Sequence, residues 1–117
     1  MPRMVRVKRG VIAAKKRRKI LKYAKGFRWG RKSKERLARE ALLHAWTYSF
    51  QGRKKKKGDF RALWQTKISA ALSQYNLPYN RFIFGLKKKN IGLDRKILAH
   101  LAEYESKVFE KIVETIK

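Results

Sequence analysis

The sequence predicts an all-α protein: a long basic N-terminal arm over residues 1–58, part helical and part extended, followed by a small four-helix C-terminal globular domain over residues 59–117. Three observations carry this. Apolar residues recur at i, i+3, i+4 and i+7 along most of the chain, the spacing of one helix face. Gly, Asn-Leu-Pro and Asp punctuate those runs where helices stop and start. Charge divides sharply: residues 1–58 carry 22 lysines and arginines against two acids, a net +20, whereas residues 59–117 carry 11 against six, a net +5. The boundary lies in the stretch QGRKKKKGDFRALW, Gln51 to Trp64, where five consecutive cations give way to an apolar-periodic run.

Composition narrows the functional classes. A chain of 117 residues holds one ordinary domain, or one small domain and an appendage. A net charge of +25 on that length repels itself, so the arm needs a polyanion to become compact. The hydrophobic fraction, 44%, is too high for a wholly disordered chain. There is no cysteine, which excludes a disulfide framework and thiolate metal sites. The N-terminus lacks the apolar core of a secretory signal, and no apolar run reaches membrane-spanning length. It is basic and acid-poor like an organelle transit peptide, but the basic character runs on to Lys57.

The elements follow in order. The alternating MVRVKRG near the N-terminus has no partner strand, so Met1 to Gly10 reads as an extended arm. Val11 to Lys25 contains good helix formers and ends at Gly26, but its apolar stripe is weak and Lys15 to Lys19 are five positive charges in a row. That helix is marginal on its own. A break follows near 26–32, with Phe27, Arg28 and Trp29 between Gly26 and Gly30. Ser33 is a candidate cap for a helix whose face carries Leu37, Ala38, Ala41, Leu42, Ala45, Trp46, Ser49 and Phe50, and which can run on to Gly58. Asp59 reads as the cap of a fresh helix with Phe60, Leu63, Trp64, Ile68, Ala71, Leu72 and Tyr75 on one face, ended by Asn76-Leu77-Pro78. Tyr79 to Lys89 is a short helix with Phe82, Ile83 and Leu86 inward. Asp94 caps a helix bearing Ile97, Leu98, Leu101 and Tyr104. A last helix from Glu105 or Ser106 bears Val108, Phe109, Ile112, Val113 and Ile116.

Nothing in this pattern is catalytic. His44 and His100 have no ligand-spaced Cys, Asp or Glu beside them, so no metal or other cofactor is expected, and His44 belongs on a helix surface near the arm. Asp59 and Asp94 precede helical runs, where capping outweighs acid–base work. No glycine-rich phosphate loop is present. The arm points instead to nucleic acid. Its cations neutralise phosphates and release counterions, and the interleaved Tyr23, Phe27, Trp29, Trp46 and Tyr48 can stack on exposed bases. RNA is favoured over DNA, because a long irregular arm suits uneven grooves and no helix-turn-helix, zinc-finger or basic-zipper pattern is present. The rivals are a DNA-compacting protein of the nucleoid type and a basic amphipathic membrane binder. The second is disfavoured because the apolar surface lies mainly in a domain that should bury it.

DFRALW (59–64), the Ile-Ser-Ala-Ala run (68–71), YNRFIFGLKK (79–88) and LDRKILAHLA (93–102) resemble the bacterial large-subunit ribosomal protein L-twenty family, and RVKRG (6–10) and LKYAKGFR (21–28) match its basic arm. The chain departs from that pattern at MPRM and at Gln65-Thr66-Lys67. The resemblance covers essentially the whole chain. It implies a non-catalytic structural component of the large ribosomal subunit, in the bacterial cytoplasm, that binds 23S-type ribosomal RNA directly and promotes early assembly. It further implies a neighbouring ribosomal protein as partner, with no membrane, no small-molecule substrate and no obligate homo-oligomer. Carried onto this sequence, the RNA-contacting residues of the arm are Arg3, Arg6, Lys8, Arg9, Lys15, Lys16, Arg17, Arg18, Lys19, Lys22, Lys25, Arg28, Trp29, Arg31, Lys32, Lys34, Arg36 and Arg39. Arg53, Lys54, Lys55, Lys56 and Lys57 join them, with Lys87, Lys88 and Lys89 in the globular domain.

Overall fold

A computed structural model describes residues 4–117. It is all-helical among the described residues: α1 (Arg9–Tyr23), a short 3-10 turn (Trp29–Lys32), α2 (Glu35–Ser73), α3 (Tyr79–Lys88), α4 (Arg95–Tyr104) and α5 (Ser106–Ile116). The chain divides into two compact units, Met1–Gly52 and Arg53–Lys117.

In the first unit the irregular N-terminal segment ends sooner than expected, because α1 begins at Arg9 rather than Val11. No residue of α1 is fully buried. After it, Gly26 takes φ +87 and Trp29 takes φ +52, both left-handed conformations, which interrupt the helical backbone between α1 and α2. Ser33 does not cap α2: its N–H closes the 3-10 turn on the Gly30 carbonyl at 3.3 Å. The Lys34 carbonyl instead accepts the Ala38 N–H at 2.8 Å, so Lys34 occupies the cap position. The turn lets Ala24, Ala38 and Leu42 close a small core, flanked by Ile20, Leu21 and Phe27. Trp46 and Phe50, expected on the buried face, remain about half exposed.

Asp59 is likewise not a cap. It is an exposed interior residue of α2, which continues through Gly52 and Gly58 for 39 residues. Lysine and arginine are good helix formers and no proline intervenes. A break at Gly58 would leave four N–H and four C=O groups without intrahelical partners. Continuing costs only about 1 kcal/mol per glycine relative to alanine.

In the second unit the last turns of α2 pack with α3, α4 and α5, so four helical segments enclose one core. Its buried members are Ile68, Leu72, Phe82, Leu86, Leu98, Ala99, Phe109 and Val113. Two asparagines shape the connections. Asn76 (φ +53) follows α2, where the Leu77 N–H reaches back to the Leu72 carbonyl, and Asn90 (φ +55) follows α3, where the Ile91 N–H reaches the Leu86 carbonyl at 2.9 Å. Each is a helix end closed by a left-handed residue, a conformation asparagine tolerates. Asp94 caps α4 as expected, its Oδ1 accepting the Ile97 N–H at 2.8 Å. Two expected faces shift. Ile97, Tyr104 and Val108 stay substantially exposed, whereas Ala99 is buried. α3 and α5 meet at Gly85, where a Cβ would collide with the Ile116 side chain.

Candidate nucleic-acid interface

The expected cations divide between the two units, and every one in the described residues is exposed; Arg3 lies outside them. Helical geometry sets how they are presented. Successive residues of an α-helix turn by about 100°, so five consecutive cations encircle the helix instead of forming a stripe. Lys15 to Lys19 do this on α1 and Arg53 to Lys57 on α2. Each run can therefore meet phosphates from several sides at once.

The first unit's charge is only slightly neutralised. Glu35 accepts from Arg39 at 2.7 Å and stands 3.5 Å from Arg17. Both arginines are well exposed at these pairs, and an exposed pair is worth about 1 kcal/mol at most, so a phosphate can displace the carboxylate. Trp29 is 75% exposed, held left-handed beside Gly30, with the Arg28 guanidinium 5.1 Å from its ring centroid. A flat ring and a flat cation are thus offered together, an arrangement suited to stacking on an unpaired base. Tyr23 meets Trp46 edge-on with centroids 5.9 Å apart, and Tyr48 stacks beside His44 at 6.5 Å. His44 is exposed on α2 near Glu40, at 3.8 Å.

In the second unit Lys87 and Lys88 close the last turn of α3 and Lys89 caps it. Cations there complement the carbonyl end of the helix dipole. Lys56 stands over the Phe60 ring at 5.7 Å, and the Lys57 ammonium donates to the Arg53 carbonyl at 3.2 Å. Lys67 donates to Glu103 at 2.6 Å, and that hydrogen bond holds its ammonium above the ordinary lysine range. Sequence reading missed Arg61 and Lys96, which join the basic run beside Phe60 and Trp64. The signal was there for Arg61, which sits between two aromatics four residues apart. Lys96 comes from α4 and joins them only through the fold.

Among the described residues, no cluster of His, Cys, Asp or Glu could hold a metal ion, and no helix is long and apolar enough to cross a membrane. What the surface offers is a dense array of exposed cations with aromatic rings among them.

Comparison with known proteins fits this surface. The model of the family described as ribosomal protein L20 matches residues 6–112. The chain is 49% identical to the large ribosomal subunit protein bL20c of Pyropia yezoensis, over 97% of this chain and 99% of that one. It is 46% identical to the large ribosomal subunit protein bL20 of Nitrosomonas eutropha and to that of Burkholderia ambifaria, each over 97% of this chain and 96% of the relative. A match over nearly the whole length, through both the basic runs and the helical core, places this chain in the ribosomal protein L20 family.

Proposed function

We propose that this chain is a structural, non-catalytic component of the large subunit of a bacterial ribosome, which binds 23S-type ribosomal RNA directly and promotes early subunit assembly by stapling RNA helices together. The observation that carries the reading is the first 58 residues: 22 cations against two acids, in a member of this family, with two runs of five consecutive cations that encircle α1 and α2. The RNA contacts are the arm cations from Arg6 to Arg39 with Trp29, the run Arg53 to Lys57, and Lys87 to Lys89; Arg3 belongs with them by sequence. Phosphates remove the like-charge repulsion within the arm, so arm ordering and RNA folding become one coupled process. Residues 59–117 form the docking domain, which also meets a neighbouring ribosomal protein.

The test is chemical footprinting of large-subunit RNA with the full chain, alongside competition by duplex DNA. Protection confined to a few RNA helices, resistant to excess duplex DNA, is the expected result. Equal competition by duplex DNA would favour a nucleoid-type compacting protein instead.

A further inference from the structure

One feature of the second unit is not explained by charge or by the core. Phe60 and Trp64 lie one turn apart on α2 with ring centroids 6.1 Å apart. Trp64 packs one side against the core, but Phe60 does not and stays 43% exposed. The two rings floor a cavity of about 530 Å³, within the size range of small-ligand clefts. Its remaining lining is cationic: Arg53, Lys56, Lys57 and Arg61 from α2, and Lys96 from α4, with no carboxylate among them. The cavity between Phe27 and His44 in the first unit differs, because Glu40 lines it and Phe27 is packed on its core. A solvated charge run explains a cationic rim but not an apolar, aromatic floor inside it. The Lys56 ammonium stands 5.7 Å from the Phe60 centroid.

An occupant that satisfies both parts must carry a flat apolar face and a negative charge a few ångströms away. A duplex offers its phosphates to the rim but keeps its base faces stacked internally. An acidic peptide offers charge without a planar face. An unpaired nucleotide offers both, because its base stacks and its flanking phosphates ion-pair. We infer that the cavity floored by Phe60 and Trp64 is a pocket for one unpaired nucleotide of the bound RNA, its base against the Phe60 ring and its phosphates on Arg53, Lys56, Lys57, Arg61 and Lys96. The inference rests on the RNA-binding reading and adds a second, base-reading element to it.

The test uses the full chain and three RNA hairpins: a fully paired stem, the same stem with one bulged adenosine, and that stem with an abasic bulge. Binding is measured in high salt, which suppresses the arm's electrostatic contribution. The bulged hairpin is expected to bind about tenfold tighter than the paired one, a factor typical of stacking one base on an aromatic ring, and the abasic bulge to lose that gain. Phe60→Ala should erase the preference while leaving the paired hairpin's affinity unchanged and the cooperative helical melting transition in place, and Phe60→Tyr should keep it. 2-Aminopurine placed in the bulge should be quenched by the wild type and not by Phe60→Ala. Equal binding of paired and bulged hairpins by the wild type would overturn the pocket while leaving RNA binding intact. So would a bulge preference that survives Phe60→Ala, or displacement of the bulged hairpin by polyglutamate as readily as by unlabelled bulged RNA. Failure to bind any hairpin even in low salt, where the arm's cations act at full strength, would overturn the RNA-binding reading and the pocket with it.

Discussion

Three aromatic residues of the second unit show how far burial, rather than residue type, sets energetic weight. Phe82 is fully buried and tilts against Phe109 with centroids 5.6 Å apart. Phe82→Ala should destabilise by about 3–5 kcal/mol, a loss that a unit this small could hardly survive. The measurement is thermal or urea unfolding of the full chain followed by circular dichroism. Phe60, with 43% of its surface in water, should cost less than about 1 kcal/mol on the same change. Trp64 lies between them, half-buried against the core, so its removal should cost less than Phe82's. Lys67 behaves differently because its contribution titrates. Its folded-state pKa is raised by the hydrogen bond to Glu103, so its stabilisation is fully present below the ordinary lysine range and is lost as pH rises through the raised value. The melting difference between the wild type and Lys67→Met should therefore be present at neutral pH and vanish in strong alkali.

At the scale of elements, α2 makes the sharpest prediction. Gly58 is interior to it and a Cβ there meets nothing within 4 Å. Gly58→Ala should therefore stabilise by about 0.5–1 kcal/mol, since alanine loses less backbone freedom on entering a helix. A helix broken at Gly58 would give no such gain in the urea midpoint. Gly85 is the opposite case. Alanine there should destabilise despite its better helix propensity, because its Cβ collides with Ile116. Gly85→Ala combined with Ile116→Ala should recover part of the loss, a coupling that a double-mutant cycle reads directly. The element most dependent on its surroundings is α1, which has no fully buried residue and five consecutive cations. Free in low salt it should fluctuate, and added sulfate or RNA should raise the helical circular dichroism signal. Strong amide protection of Lys15 to Lys22 without any anion would contradict this.

For the whole molecule, salt dependence measures how the charge is used. If the chain neutralises about ten phosphates, log affinity against log salt should fall with a slope of about −7 to −9. Replacing Lys15, Lys16, Arg17, Arg18 and Lys19 with glutamine should make the slope shallower by up to about 4 units, and weaken paired and irregular RNAs alike. An unchanged slope would mean that α1 does not lie on phosphates.

The basic character that points to a polyanion was legible in the sequence because charge adds up regardless of fold: a net +20 in the first 58 residues stays basic in any conformation. Helix identity was legible too, because 3.6-residue periodicity, Asn76-Leu77-Pro78 and the Asp94 cap are local signals. Local reading failed where two local rules competed. A glycine followed by aspartate looked like an end and a cap, yet leaving eight backbone groups without intrahelical partners costs more than one interior glycine. Periodicity also gives the width of an apolar face but not which turns of it are covered. Phe60, Leu63, Ile68 and Leu72 read as one face in the sequence, but only Ile68 and Leu72 join the core with α3, α4 and α5, and nine residues at about 100° each put Leu63 on the far side of α2 from Leu72. Burial is decided by which elements arrive at which turn, and that depends on residues far away in the chain. For the same reason only the tertiary structure brings Lys96 of α4 to the rings of α2 and turns an ordinary amphipathic run into a cationic cavity with an aromatic floor.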